Sequence, residues 1–168
     1  MYNNLNEVRK KNIGIITFHK YSNPGTVLQA LALQDAVEAL GYHAEPIDFE
    51  ARVNRSKWQY LSSHVLRIPI YLRYYEKYYL QKKYNFKIIE KSQLSNAFHD
   101  QYLHLGSRKY NSSQELCDNP PVYDGYVVGS DQTWNPNVSN NPDAFYLTFV
   151  KEREKCGSYA PSIAVNRL

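Results

Sequence analysis

Cysteine is scarce in this chain: Cys117 and Cys156 are the only two in 168 residues. They have no metal-ligand spacing, and the default for such a pair is two reduced thiols in a cytoplasmic protein, with a disulfide as the alternative. An apolar run long enough to cross a bilayer is also missing. Arg9-Lys10-Lys11 precedes an apolar stretch, yet that stretch ends at Phe18-His19 without a small-residue cleavage site, which argues against a secretory signal. Net charge is only +4, too little to make nucleic acid a main partner. Internal repeats and low-complexity tracts are absent as well. Apolar content of 43% and charged content of 21% lie near globular averages. The length suits a single core burying about 70% of the unfolded surface, so residues 1–168 read as one α/β domain.

The N-terminal pattern supplies the first structural unit. Ile13-Gly14-Ile15-Ile16-Thr17-Phe18 is short and apolar, as a buried parallel strand should be. Ser22-Asn23-Pro24-Gly25 bends the chain. A helix opening at Thr26 is predicted to run to Leu40, closed by Gly41 in a left-handed cap. Ala44–Phe49 supplies the next strand, completing a β-α-β unit. A turn of 100° per residue puts Gln29, Leu33, Ala36 and Leu40 on one stripe, with Gln34, Asp35 and Glu38 opposite. Gln29 is then a polar residue on the apolar face. Either it closes a capping box with Thr26, or it meets a ligand or loop. Both readings place it at a helix N-terminus, where free N–H groups attract anions.

A second stretch, Tyr123–Pro136, reads Y-D-G-Y-V-V-G-S-D-Q-T-W-N-P. Tyr126-Val127-Val128 forms a short buried strand, and Gly129-Ser130-Asp131-Gln132 follows at its end. In a parallel sheet the carboxyl ends of the strands form the ligand crevice. A glycine there admits close backbone approach, while Ser, Asp and Gln can read hydroxyls. Ser130 and Asp131 fit a plain capping role equally well. Lys155–Ala160 is the last strand candidate. With one mainly parallel sheet flanked by helices, the expected fold is a Rossmann-like lobe.

Between these units lies Arg67–Lys83, where five cations (Arg67, Arg73, Lys77, Lys82, Lys83) face one acid, Glu76. The same region carries Tyr71, Tyr74, Tyr75, Tyr78, Tyr79 and Tyr84, with a helix expected over Ile70–Tyr84 after Pro69. Such a helix suits lipid head groups or acidic glycans, or simply packs its tyrosines on the sheet. A second loop, Asn135–Pro142, holds four Asn and two Pro and is expected to be an exposed cleft rim.

The run from Asn23 to Gln34, N-P-G-T-V-L-Q-A-L-A-L-Q, resembles the N-terminal signature of the polysaccharide pyruvyl transferase family, N-Y-G-x-x-L-Q-x-x-A-L. Further family blocks are matched in order by Val128-Gly129-Ser130-Asp131-Gln132-x-Trp134-Asn135, by Phe145-Tyr146-Leu147 and by Ser158-Tyr159-Ala160-x-Ser162. Pro24 stands where the family commonly has an aromatic residue and offers no stacking surface. Members are about twice as long, with two lobes similar to those of glycosyltransferases and a site between them. This chain ends eight residues beyond Ala160, so the resemblance implies an N-terminal lobe without its second lobe, as a fragment or a natural truncation.

The activity implied is transfer of the pyruvyl group of phosphoenolpyruvate onto two sugar hydroxyls as a cyclic ketal, for a cell-surface polysaccharide. Phosphoenolpyruvate is a donor substrate, and no cofactor is expected. The implied catalytic residue is Asp131. Substrate contacts are implied for Asn23, Gly25, Gln29, Gly129, Ser130, Gln132, Trp134, Tyr159 and Ser162. The expected partners are the donor, a sugar or lipid-linked glycan, and a second lobe or second copy of the chain. The place implied is the cytoplasm, with a peripheral position at the membrane as an alternative. His19-Lys20, just after the first strand, are the cationic groups beside these motifs, and His19 also fits a plain loop role. No arginine cluster for the donor is visible, so the isolated chain is expected to fold without transferring pyruvate. A non-catalytic module that binds glycan, membrane surface or a partner protein is the other class in play.

Overall fold

The computed structural model describes residues 9–20, 24–50, 76, 79, 96–136, 138 and 142–165. Of the Tyr-rich helix expected over Ile70–Tyr84, only Glu76 and Tyr79 are described, both helical; its other residues, and Asn23, lie outside the described residues.

Strand β1 (Asn12–Ile16) leads into helix α1 (Pro24–Ala39), which returns to strand β2 (His43–Pro46). Two short strands follow, β3 (Asp48–Phe49) and β4 (Lys109–Tyr110), then helix α2 (Ser113–Asp118), strand β5 (Gly125–Val128), helix α3 (Pro142–Phe145) and strand β6 (Cys156–Ser158). The main sheet has the order β2-β1-β5-β6, and every neighbouring pair is parallel. Ile13 sits opposite Ala44 on one side and Gly125 on the other. This is the Rossmann-like α/β arrangement.

Because side chains alternate across a strand, the two sheet faces receive different residues. Ile13, Ile15, Ala44 and Val127 pack with Leu33 and Val37 of α1. Ile16, Tyr126 and Val128 turn the other way and join Phe49, Tyr110, Leu116 of α2 and Phe145 of α3. Helices therefore cover both faces, as buried parallel strands require.

Three expectations need correction. The helix starts at Pro24 rather than Thr26, because proline suits the first helical position: its missing N–H has no partner there in any case. The buried stripe is Thr26, Val27, Ala30, Leu33, Gln34 and Val37. Of the predicted stripe only Leu33 is buried, while Gln29 and Ala36 are exposed and Leu40 is 75% exposed. Gln34 can be buried because its amide is satisfied. Its Nε2 donates to the Tyr102 carbonyl at 3.2 Å, and its Oε1 accepts the His104 N–H at 3.0 Å. The helical segment 96–102 and the chain after it are thereby fastened to α1, where Phe98 and Leu103 pack on Val27 and Ala30.

The third correction concerns Ala44–Phe49, which is not one strand. Phe49 N–H donates to the Ile47 carbonyl two residues back, at 2.7 Å, and this tight turn diverts the chain from β1 to pair with β4. Gly41 closes α1 as expected, with φ 89° and its N–H on the Glu38 carbonyl at 2.9 Å. Cys117 and Cys156 are free thiols. Among the described residues, no helix is long and apolar enough to cross a membrane.

Candidate functional site

From β1 the chain moves outward to β2; from β5 it moves outward the opposite way to β6. The strand order therefore reverses between β1 and β5, and the crevice beyond their carboxyl ends is where open α/β sheets bind ligands. Two segments meet there: the start of α1 and the loop after β5.

Gly129 makes that meeting possible. Its N–H donates to the Ile16 carbonyl at 2.9 Å. A Cβ at this position would lie 2.6 Å from the Thr17 Cβ and 3.2 Å from Leu33 Cδ2, so only glycine fits. Thr17 Oγ1 then donates to the Ser130 carbonyl at 3.0 Å, tying the two strand ends together.

Asp131 follows with φ 100°, a conformation uncommon for any residue but glycine. Its Oδ1 accepts the Gln132 N–H at 2.7 Å, and its Oδ2 lies 3.4 Å from Thr26 Oγ1 in the first turn of α1. The carboxylate thus occupies the helix N-terminus, where the dipole favours negative charge. The Asp131 carbonyl accepts both the Ser162 N–H (2.9 Å) and the Ser162 Oγ hydroxyl (3.3 Å). Trp134 N–H donates to the Ser162 carbonyl at 3.3 Å, and Tyr159 N–H donates to the Val128 carbonyl at 2.8 Å. Gln132 Oε1 accepts the Asn135 amide at 2.9 Å. Gly129, Ser130, Asp131, Gln132, Trp134, Tyr159 and Ser162 therefore form one hydrogen-bonded rim.

Gly25 adjoins this rim at the start of α1. Gln29 is exposed one turn further along. The capping box proposed for it does not form, because Thr26 is inside the helix and turns its hydroxyl to Asp131. Trp134 has a structural duty too: its Nε1–H donates to the Phe145 carbonyl at 3.0 Å.

A polar cluster lies at the same edge. His19 is 1% exposed and its Nδ1–H donates to the Thr17 carbonyl at 3.1 Å. Its Nε2 is 3.9 Å from Asp48 Oδ1, and Lys20 is ion-paired to the same carboxylate. Burial alone pushes the Asp48 carboxyl up. The His19 ring and the Lys20 ammonium beside it outweigh that and hold it down at about 2. The His19 ring stacks on His99 from the segment 96–102, centroids 5.6 Å apart. Thr17 thus links this cluster to Ser130 and the Asp131 loop. Asp48 and His99 were missed in the sequence; the clue for Asp48 was a carboxylate at the carboxyl end of the second strand.

Chemically, the rim offers the Asp131 carboxylate, the Gln132 amide and the hydroxyls of Ser130, Tyr159 and Ser162, groups suited to reading hydroxyls. Lys20 is the nearby cation, and it is already engaged by Asp48. Among the described residues, no cluster of His, Cys, Asp and Glu is arranged to hold a metal ion. Compared with protein-family models, curated proteins and solved structures, the chain matches none.

Proposed function

We propose that this chain is the acceptor-binding lobe of a polysaccharide pyruvyl transferase-like enzyme, with the crevice between β1 and β5 receiving a sugar. The observation that carries this reading is the Thr26–Asp131 contact, which joins two ordered family-like motifs at the strand-order reversal. In the reaction, two sugar oxygens form bonds to C2 of phosphoenolpyruvate and the C2–O bond to phosphate breaks. One hydroxyl proton ends on the methylene carbon, which becomes the ketal methyl, and the other leaves with phosphate. Asp131 is assigned the role of accepting the first hydroxyl proton or orienting that hydroxyl. The donor is trianionic, and a helix N-terminus supplies only about 0.3–1 kcal/mol per charge. Lys20 is held by Asp48. The donor's cations are therefore assigned to a second lobe or a second copy of the chain. Work on a lipid-linked glycan places the protein in the cytoplasm beside the membrane surface.

A non-catalytic glycan-binding module is the second reading. It is favoured by the ion pair that engages Lys20 with Asp48, which leaves that cation committed away from a trianionic donor. Phosphate release and acceptor binding are measured with phosphoenolpyruvate and galactose- or mannose-type glycosides, and release that rises with acceptor removes the non-catalytic reading. The lobe alone is expected to bind acceptor without releasing phosphate. Asp131→Asn is expected to weaken acceptor binding about tenfold, and unchanged binding in that variant overturns the assignment of this crevice.

A further inference from the structure

Beyond the end of β5 at Val128, three successive main-chain carbonyls each meet a side-chain hydroxyl. The Gly129 carbonyl faces the Thr133 hydroxyl at 3.5 Å, and the Ser130 carbonyl accepts the Thr17 hydroxyl at 3.0 Å. The Asp131 carbonyl accepts the Ser162 hydroxyl at 3.3 Å as well as its N–H. The three hydroxyls come from different places: just beyond β1, the turn itself, and the chain after β6. Thr17 and Thr133 are buried, so their hydroxyls serve the turn rather than water. Between them Asp131 keeps φ 100°, a backbone state that persists only where its surroundings over-determine it.

The Asp131 carboxylate is engaged separately. Its Oδ1 accepts the Gln132 N–H, and its Oδ2 stands 3.4 Å from the Thr26 hydroxyl in the first turn of α1. We propose that Thr17, Thr133 and Ser162 are positioning residues, a hydroxyl clamp that fixes Gly129–Asp131 so that the carboxylate stays at the start of α1 as an acceptor for a hydroxyl of an uncharged sugar. None of the three has to touch the sugar. A carboxylate held in place before the ligand arrives binds more tightly, because less ordering remains to be done. It can only accept, so it reads O–H groups and repels anions. Ser162, given a substrate contact by the family resemblance, acts through Asp131 instead. This rests on the reading of the crevice as an acceptor site.

Amide hydrogen exchange on the full chain tests the clamp. Gln132 N–H reports the turn, and His43 N–H, bonded to the Lys11 carbonyl at the amino end of β2, reports general opening. Thr17→Ser and Thr17→Ala both lack the threonine methyl and differ only in the hydroxyl. Thr17→Ala is expected to speed exchange at Gln132 about three- to tenfold relative to His43, while Thr17→Ser keeps the unaltered ratio. Ser162→Ala, at an exposed position, repeats the test without threatening the fold. A smaller acceleration at Gln132 is expected there, because the Ser162 N–H still holds the same carbonyl. Binding of methyl β-galactopyranoside or methyl α-mannopyranoside, followed by NMR titration, is expected to weaken by a similar factor in Thr17→Ala and to recover in Thr17→Ser. Equal exchange at Gln132 in Thr17→Ala and Thr17→Ser, or an acceleration shared equally by His43, overturns the clamp. The acceptor reading fails separately. A glycoside whose binding needs Asp131 but ignores the Thr17 hydroxyl removes the clamp and leaves the acceptor site. A Gln132 amide that answers to the Thr17 hydroxyl in a chain that binds neither glycoside removes the acceptor site and leaves the clamp.

Discussion

The Thr26 hydroxyl and the Asp131 carboxylate, 105 residues apart in sequence, stand 3.4 Å from each other across the junction of β1 and β5. The contact is long, so its own strength is modest. Thr26→Val and Asp131→Asn, made singly and together, are expected to show a coupling of about 0.5 kcal/mol in urea denaturation. Strict additivity of the two changes would mean that the residues do not sense each other.

Gly129→Ala is expected to destabilise the fold by about 1–3 kcal/mol, because the new methyl would press into the Thr17 Cβ at 2.6 Å. Adding Thr17→Ser removes a methyl but leaves that Cβ in place, so it should not restore stability. A melting temperature that returns with the second change would show that the close approach is not between these Cβ atoms.

The two glutamines of α1 provide an internal comparison. Gln34→Ala strands the Tyr102 carbonyl and the His104 N–H, at an expected cost of about 1–3 kcal/mol. Gln29→Ala, on the exposed side, should change stability by less than about 0.5 kcal/mol. Chemical denaturation of both variants checks the face that α1 buries.

Asp48 makes stability depend on pH at the acid end. Its carboxyl is lowered from 3.8 to about 2 in the folded state. The folded form therefore binds fewer protons than the unfolded chain between these values. The stabilisation is fully present above about 4 and is lost as pH falls through about 2. Allowing for solvent screening, its size is roughly 1 kcal/mol. Denaturation midpoints from pH 5 to 2 should fall less steeply in Asp48→Asn than in the unaltered protein, and equal slopes would count against the Lys20–Asp48 pairing.

What could be read from sequence was local. The short apolar runs around Ile15 and Val127 and the turn at Gly41 announce strands and a helix end through neighbouring residues alone. The face of α1 was misread because burial of Gln34 depends on acceptors and donors near His104, about 70 positions away. The division of Ala44–Phe49 was hidden for a similar reason: β3 exists only because Tyr110 and Lys109 come to lie beside it. The site motifs after β5 were visible as residue types. That Thr26 rather than Gln29 faces Asp131 follows from a helix start moved two residues earlier by Pro24.

The central position of β1 in the sheet has a bearing on how the chain is made. One edge of β1 can pair with β2 soon after both leave the ribosome. Its other edge must wait for β5, and the bond from Asn12 N–H to Asp124 spans 112 positions. At a synthesis rate of about 5–20 residues per second, that edge stays unpaired for roughly 6–22 s. During that interval the nascent chain shows an apolar, hydrogen-bonding strand to its surroundings, a template for pairing with another copy. The newborn protein is thus most prone to aggregate before Gly125–Val128 emerges, and a chaperone that shields Asn12–Ile16 over that interval would raise its yield.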